Sequence, residues 1–151
     1  MHWRTHPNLK DKLHPQHPDD LQVVIHEGGP RITRKYPEAV WVSVTSGEND
    51  VFHGRVLNTP SQLDSIKQGD IISFLANTGV EHAVMVTPKY LRERPQWKIK
   101  PCSKCGFTEL FDAPSDLVRA TFPSLPDDAL LEAFTTFCAL CDGTQIVEPL
   151  R

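Results

Sequence analysis

Residues 40–57 read Val-Trp-Val-Ser-Val-Thr-Ser-Gly-Glu-Asn-Asp-Val-Phe-His-Gly-Arg-Val-Leu, and this stretch decides the fold class. Valine recurs at every second position from Val40 to Val44, which is the period-two pattern of a half-buried strand. Polar residues at 46–50 form a turn cluster, after which aromatic and β-branched residues return. The stretch therefore predicts a β-hairpin, with Trp41 and Phe52 as large apolar residues of the sheet's core.

Short strand-like runs also lie on either side of this hairpin. Residues 21–26 form a β-branched run that ends at a Gly-Gly-Pro turn, while residues 71–75 and 83–87 follow further along the chain. Close turn signals between short strands are typical of small sheets and barrels. We therefore expect a small antiparallel sheet or partly open barrel, with Phe74 contributing to its core.

All four cysteines of the chain fall in two Cys-x-x-Cys hooks, Cys102-Ser-Lys-Cys105 and Cys138-Ala-Leu-Cys141. Each hook directs two sulfurs to one ion, and two hooks complete the tetrahedral shell of a structural zinc site. A glycine closely follows each hook, as in the knuckles of zinc ribbons. The pattern predicts one structural Zn²⁺ per chain, bound by these four cysteines. A redox dithiol and an iron or cluster site are the alternatives.

The segment between the hooks is longer than the ~15–20 residues common in such sites. Two helices are predicted within it. The first covers residues 114–121 and stops before Pro123. The second covers residues 127–137, because its start is acidic and its apolar residues fall at helix-face spacing. The chain is thus predicted to be α+β, with the sheet or barrel followed by a zinc-ribbon-like lobe containing inserted helices.

Composition places the chain among ordinary globular proteins. Its 151 residues include 16 Lys and Arg against 19 Asp and Glu, a net charge of −3 at pH 7. This balance argues against non-specific wrapping of nucleic acid by the whole molecule. No apolar stretch approaches the ~20 residues that span a bilayer, so no membrane association is expected. The N-terminal residues lack a hydrophobic signal segment, which predicts a cytoplasmic protein whose thiols are kept reduced.

The chain divides by composition into three parts. Residues 1–20 contain four histidines and three His-Pro steps, and proline biases each preceding residue away from the helical region. We expect an extended arm here, whose histidines are loop residues; metal binding by them is the alternative. Residues 21–87 form the β-rich domain and residues 88–151 the zinc-binding lobe. The alternative is that these two parts form one compact unit.

The stretch Ala39–Thr45, with Phe52–Pro60 and Ile66–Phe74, resembles the bacterial domain of unknown function DUF2314, the YegJ-like family. The family pattern runs Trp-Val-x-Val, a turn, Gly-x-Leu-x-Asn-x-Pro, and then x-Gly-Asp-x-Val-x-Phe. Val56 and Leu57 carry the apolar part after Gly54. The resemblance covers about 40 residues, and the cysteine lobe lies outside it. It implies a small β-rich fold in a bacterial cytosolic protein and carries over no catalytic residue.

No catalytic site is predicted. The cysteines are assigned to metal, and His53 in the hairpin is interpreted as a surface or hydrogen-bonded histidine. His26 and His82 neighbour glutamates in sequence, but adjacent residues of an extended chain point to opposite faces. No phosphate-binding glycine loop or hydrolase motif occurs in the sequence. We therefore expect a non-enzymatic protein.

One basic and aromatic segment is the candidate binding surface, comprising Lys89, Tyr90, Arg92, Arg94, Trp97 and Lys98. Cations interleaved with aromatic rings can grip phosphates and stack bases, which would suit a nucleic-acid-binding zinc ribbon. The two aromatic residues could instead be core residues of the lobe. The favoured hypothesis is an accessory module that binds another protein, and nucleic-acid binding is the alternative.

Overall fold

The computed structural model describes residues 2–126, 129 and 131–150. The chain forms two compact units, each treated separately below. The first consists of Met1–His26 and Lys35–Val86, and the second of Glu27–Arg34 and Thr87–Arg151. The predicted α+β class is confirmed.

The first unit is a closed five-stranded barrel. Its strands are β1 (Asp20–Ile25), β2 (Glu38–Glu48), β3 (Val51–Val56), β4 (Ile71–Leu75) and β5 (Ala83–Val86). Consecutive strands pair antiparallel, whereas β1 and β5 pair in parallel. The expected sheet was antiparallel or only partly open. An odd number of alternating strands brings the last strand back in the direction of the first, so closure makes the sheet mixed.

The barrel core follows the alternation of its strands. Phe52 and Phe74 are fully buried, as expected, and their rings stack 5.9 Å apart. The valines of β2 also point inward. Trp41 was expected beside them, and that prediction is wrong: its odd parity places it on the outer face, half-buried, 5.4 Å from the ring of His14. The valine face, not the largest apolar side chain, determines which side of β2 is internal.

One glycine allows two neighbouring strands of the barrel to approach each other closely. An added Cβ at Gly54 in β3 would lie 2.4 Å from Val42 Cγ1 and 2.8 Å from the carbonyl oxygen of Ser43. Because real Cβ atoms do not approach backbone this closely, only glycine fits where β3 crosses β2.

The N-terminal residues belong to this first unit and differ from the extended arm that the sequence predicts. Trp3–Thr5 forms a 3₁₀ turn, and Leu9 is fully buried in the barrel core. The indole Nε1 of Trp3 donates to Asp19 at 2.8 Å. Two of the histidines stabilise local turns, since His6 Nδ1 and His14 Nδ1 accept the amides of residues 8 and 16.

The second unit contains a three-stranded antiparallel sheet and two short helices. The strands are β6 (Trp97–Ile99), β7 (Phe134–Phe137) and β8 (Thr144–Pro149), in the order β6-β8-β7. Helix α1 (Pro88–Glu93) begins after Thr87, whose hydroxyl accepts the amide of Tyr90 at 3.2 Å. Helix α2 (Pro114–Thr121) confirms the first predicted inserted helix.

The second predicted inserted helix is wrong where the structure describes it. Residues 134–137 form strand β7, although the prediction placed a helix over 127–137; Asp127, Asp128 and Leu130 lie outside the described residues. Phe134 and Thr136 are buried while the residues between and after them are exposed. Burial of every second residue and pairing with β8 identify this segment as a strand. The helix-like spacing of its apolar residues was not decisive, because a short apolar run can fit a helix and a strand equally well.

A pH-dependent stability is expected from His26, which is buried in the first unit with its Nε2 2.9 Å from the Met85 carbonyl oxygen. Burial lowers the pKa of His26 to about 4, outweighing the Met85 hydrogen bond. Unfolding restores a pKa near ~6.5, so the unfolded chain binds the extra proton between these values. The stabilisation is complete above pH ~6.5 and is lost as the pH falls toward 4, by roughly 3 kcal/mol.

The measurement is the free energy of unfolding between pH 7 and 4.5, compared with His26→Gln, which retains an N–H donor and does not titrate. The difference between the two proteins should change over this interval. Parallel pH profiles of the two proteins would contradict the assignment of the pH dependence to His26. The shared change in unfolding free energy would then come from other titrating groups.

Candidate metal centre

The four cysteine sulfurs converge at one point of the second unit. They all lie within 4.8 Å of one another, and each cysteine is a free thiol. The shortest separations join the two hooks: Cys102 Sγ to Cys141 Sγ is 3.5 Å and Cys105 Sγ to Cys138 Sγ is 3.6 Å. Four sulfurs at ~2.3 Å around a tetrahedral ion would be about 3.8 Å apart. The donor set therefore fits a single metal ion.

Backbone amides surround the sulfurs, as expected for two knuckles. Cys102 Sγ faces the amides of Lys104 and Cys105 at 3.4 and 3.5 Å. In the second hook, Leu140 N lies 3.4 Å from Cys138 Sγ and Gly143 N lies 3.2 Å from Cys141 Sγ. Such N–H donors orient thiolates and offset their charge.

Main-chain contacts hold the two hooks together. The amide of Ser103 donates to the carbonyl of Thr144 at 3.0 Å, which joins the first hook to the start of β8. The second hook is closed by the amide of Cys138, which donates to Gly143 O at 2.9 Å. Lys104 and Asp142 also form an ion pair between the hooks, but both side chains are largely exposed, so the pair contributes little to holding them. The sheet and these contacts position the sulfurs, and the segment between the hooks contributes as well, because the amide of Cys102 donates to the carbonyl of Phe107 at 2.9 Å.

The ionisation of the thiols differs from one sulfur to another. Burial opposes ionisation of Cys102, but the amides of Cys105 and Lys104 outweigh it and lower the pKa of Cys102 to about 6. For Cys105 and Cys138 burial dominates and raises the pKa of each thiol. Metal ligation requires thiolates, so binding to this centre releases protons and weakens as the pH falls.

Gly143 is a residue of the centre that the sequence pattern indicates only indirectly. An added Cβ there would lie 2.6 Å from Cys102 Sγ, 2.8 Å from Lys104 Cβ and 3.3 Å from Cys141 Sγ. A side chain would therefore enter the space between the two hooks.

Gly143→Ala should weaken metal binding by about 10- to 100-fold, the range for changes in the groups that position ligands. The methyl group would displace two sulfurs from their common centre. Asp142→Ala is the matched control, because this neighbouring side chain is exposed. Competition with a chromophoric chelator measures both affinities. Equal affinities would show that the close contact at Gly143 is not constraining.

Among the residues that the structure describes, these cysteines are the one group of three or more His, Cys, Asp or Glu side chains placed to hold a metal ion. Four protein ligands fill a tetrahedral shell, so a metal held by all of them keeps no position for substrate. The arrangement suits a structural role.

The residues of the candidate binding surface differ in their exposure and in their contacts. Arg92 and Lys98 are exposed, and Trp97 is half-buried with its ring 6.0 Å from that of Phe134. Lys89 forms an ion pair with Asp116 at 2.6 Å. Tyr90 is fully buried, so its ring cannot stack on a base. The segment therefore does not present the alternating cations and rings that the sequence indicates.

Tyr90 and Arg94 instead bind a buried carboxylate that the sequence analysis missed. Glu109 accepts the Tyr90 hydroxyl at 2.7 Å and two guanidinium N–H groups of Arg94, at 2.6 and 3.0 Å. The Tyr90 oxygen also accepts the amide of Leu110 at 3.0 Å. Burial, followed by the charge of Glu109, raises the pKa of Tyr90, which keeps the hydroxyl protonated and donating. Burial of Glu109 gave no sequence signal, because its partners lie far away in the chain.

His53 is hydrogen-bonded, in line with the sequence interpretation. Its Nδ1 lies 2.9 Å from Ser73 Oγ on the neighbouring strand β4. The structure shows no helix, within the part of the chain it describes, that is long and apolar enough to cross a membrane.

Comparison with known proteins identifies no relative: no family model, curated protein or solved structure matches this chain.

Proposed function

We propose that this chain is a structural zinc protein of the cytoplasm that acts by binding another protein. The observation that carries the proposal is the convergence of four cysteine sulfurs on one point with no ligand position left for substrate. The metal then stabilises the second unit, and function resides on the surface that this unit presents.

Zinc is the ion favoured by the donor chemistry. Tetrahedral sets of four thiolates are typical of zinc and of iron–sulfur centres. Zn²⁺ has no redox chemistry and no geometric preference of its own, so it suits a site that is tied into a sheet by main-chain contacts. A single thiolate-bound iron is the competing occupant.

Elemental analysis of the full chain, purified under reducing conditions, tests the metal assignment. We expect one equivalent of zinc per chain in the native protein and much less in Cys138→Ser. Iron at one equivalent would replace zinc in the proposal. Less than a stoichiometric metal content, with disulfides between the hooks, would favour the redox alternative.

Protein binding is favoured over nucleic-acid binding by charge. The chain carries a net charge of −3, and three members of the basic segment are buried or paired with carboxylates. The resemblance to DUF2314 supports a bacterial cytosolic setting but supplies no partner. Arg92 and Lys98 remain exposed, and they keep nucleic acid as the alternative.

Binding to single- and double-stranded DNA and RNA across a salt series separates the two candidates. We expect weak binding at about 0.15 M salt, unchanged in the double variant Arg92→Gln/Lys98→Gln. Micromolar affinity that falls steeply with salt, and is lost in the double variant, would establish the nucleic-acid alternative. A partner protein captured by the zinc-loaded chain but not by Cys138→Ser would support the proposal.

A further inference from the structure

A candidate ligand site lies on the outer face of the barrel, in the unit that contains none of the four cysteines. It is an open cleft of about 440 Å³ lined by six residues: Asp11, Lys12, Gln22, Trp41, Glu81 and His82. All six belong to the first unit. Ligand clefts are typically ~300–1,000 Å³ in volume, so this one can admit a side chain or a small molecule.

Strand pairing places three of these side chains next to one another. Gln22 in β1 pairs with Trp41 in β2. The parallel pairing of β1 with β5 begins at Val23 and Ala83, which are both fully buried in the barrel core. Because side chains alternate between the two faces of a sheet, the residues before them, Gln22 and His82, point outward. One side of the cleft therefore carries an indole, a side-chain amide and an imidazole in a row.

Trp41 supplies an aromatic surface that the barrel core does not use. Its side chain is half-buried, and its ring meets that of His14 with the ring planes at 70° and the centroids 5.4 Å apart. Tryptophan offers the strongest cation–π surface of the aromatic side chains, and guanidinium groups stack on such rings. A half-exposed indole in a cleft therefore favours a ligand group that is flat, cationic or both.

Two carboxylates give the cleft its charge. Asp11 and Glu81 are exposed, and neither side chain forms a hydrogen bond or an ion pair with another described residue. Lys12 is the one basic residue of the lining, and its Nζ donates to the main-chain carbonyl oxygen of Glu81 at 2.8 Å. With both histidine and glutamine neutral, the lining carries two negative charges and one positive charge. The cleft therefore favours a cation over an anion.

We propose that this cleft binds a guanidinium group, stacked on the Trp41 ring and with the carboxylates of Asp11 and Glu81 as its acceptors. A guanidinium is planar, always charged and carries five N–H donors, so it can meet an aromatic face and carboxylates at the same time. An ammonium is compact and strongly hydrated and does not stack. The side-chain oxygen of Gln22 is a further acceptor beside the ring.

A neighbouring cleft of about 330 Å³ indicates where the rest of the ligand runs. It shares Asp11 and Lys12 with the first cleft and continues along the loop at residues 76–80. Two clefts that meet at the same residues can take an extended chain, with the guanidinium at Trp41 and the main chain passing toward Gly79. The favoured source is therefore an arginine side chain of a polypeptide, whereas a free guanidino compound would occupy the first cleft alone. Because the site belongs to the barrel, its test is independent of the function proposed for the metal-bound unit.

Titration of the metal-loaded full chain, labelled with ¹⁵N, tests the site by NMR. The probes are N-ethylguanidinium and a capped Gly-Gly-Arg-Gly-Gly peptide. The same peptide with citrulline in place of arginine is the matched control, because citrulline keeps a planar group of the same shape without the charge. A lysine version supplies the charge without the plane. We expect saturable shifts of the Trp41 indole N–H and the Gln22 side-chain NH₂ with both guanidinium probes, and affinity at least about fivefold weaker for the two control peptides.

The Gly79 amide distinguishes the two sources of the guanidinium. A shift of this amide with the arginine peptide, and none with N-ethylguanidinium, indicates that a polypeptide occupies both clefts. Equal affinity for the two guanidinium probes, with no shift at Gly79, indicates a free guanidino compound.

Three variants test the assigned roles. Trp41→Leu should weaken guanidinium binding about tenfold, because the cation–π contact is lost while an apolar side chain remains. Asp11→Asn and Glu81→Gln should each weaken it about two- to fivefold, the range for an exposed ion pair. Glu48→Gln makes the same charge change at the other end of β2 and should leave the affinity unchanged. If Trp41→Leu does not fold, the two carboxylate variants carry the test. The proposal is overturned by an absence of saturable shifts, by equal affinity for the citrulline peptide, or by unchanged affinity in the folded cleft variants.

Discussion

Cys138→Ser should abolish metal binding and unfold the second unit while the barrel stays folded. Cys138 is fully buried, and its sulfur lies 3.6 Å from that of Cys105 on the other hook. Structural zinc contributes roughly 10–16 kcal/mol of apparent folding free energy in small finger peptides, so this is the largest effect expected from any single change. The barrel contains its own closed core, and none of the four converging cysteines belongs to it.

Hydrogen exchange of the backbone amides is the decisive measurement. The amides of Cys138 and Lys100, which donate to Gly143 O and Ile146 O, should lose protection in the variant. Amides in the β1–β2 pairing should keep it. Asp142→Asn is the control, since this exposed carboxylate is not a ligand. Retained protection in the second unit as well as in the barrel would show that the second unit folds without metal. Loss of protection in both units would show that they unfold together.

The fold class and the convergence of the four cysteines could be predicted because both leave short-range signals. Alternating valines identify β2, and the spacing within each hook places two sulfurs on one side of a knuckle. Neither signal needs information from distant parts of the chain. Barrel closure is different, because the parallel pairing of β1 with β5 depends on how many strands intervene.

Two of the errors in the sequence interpretation share one physical cause. Helix-face spacing at residues 130–137 and the size of Trp41 are local properties, whereas burial is decided by what packs against them. Pairing with β8 turns Phe134–Phe137 into a strand, and the valines of β2 take the inner face that Trp41 was expected to share. In both places tertiary context overrides the local preference.

The buried polar groups left no sequence signal at all. Arg94 was placed on the candidate basic surface and Tyr90 either there or in the core of the lobe, and the sequence pairs neither of them with Glu109. Gln145 is an ordinary polar residue within a short strand, yet it is almost fully buried with one oxygen unmatched. Which polar side chain becomes buried depends on long-range packing, so such sites emerge only from the structure.

Arg94→Met should cost about 3 kcal/mol of unfolding free energy, near the lower end of the ~3–5 kcal/mol range for breaking a buried ion pair. The Glu109 side chain is 8% exposed and would keep the Tyr90 hydroxyl as a partner while losing its counter-charge. Arg94 is 31% exposed, so solvent reduces the loss relative to a fully buried pair. The variant retains the aliphatic stem, which isolates the charge from the packing.

Chemical denaturation, followed by fluorescence of Trp97 in a variant that lacks the other two tryptophans, measures the effect within the second unit. Arg92→Met is the matched control, because Arg92 is an exposed arginine two residues earlier in the same helical segment. Its cost should stay within about 0.5 kcal/mol. Adding Glu109→Gln to Arg94→Met should restore part of the stability, since the amide needs no counter-charge. If Arg94→Met and Arg92→Met cost the same, the Tyr90 hydroxyl already compensates the Glu109 carboxylate, and Arg94 serves only to cover it.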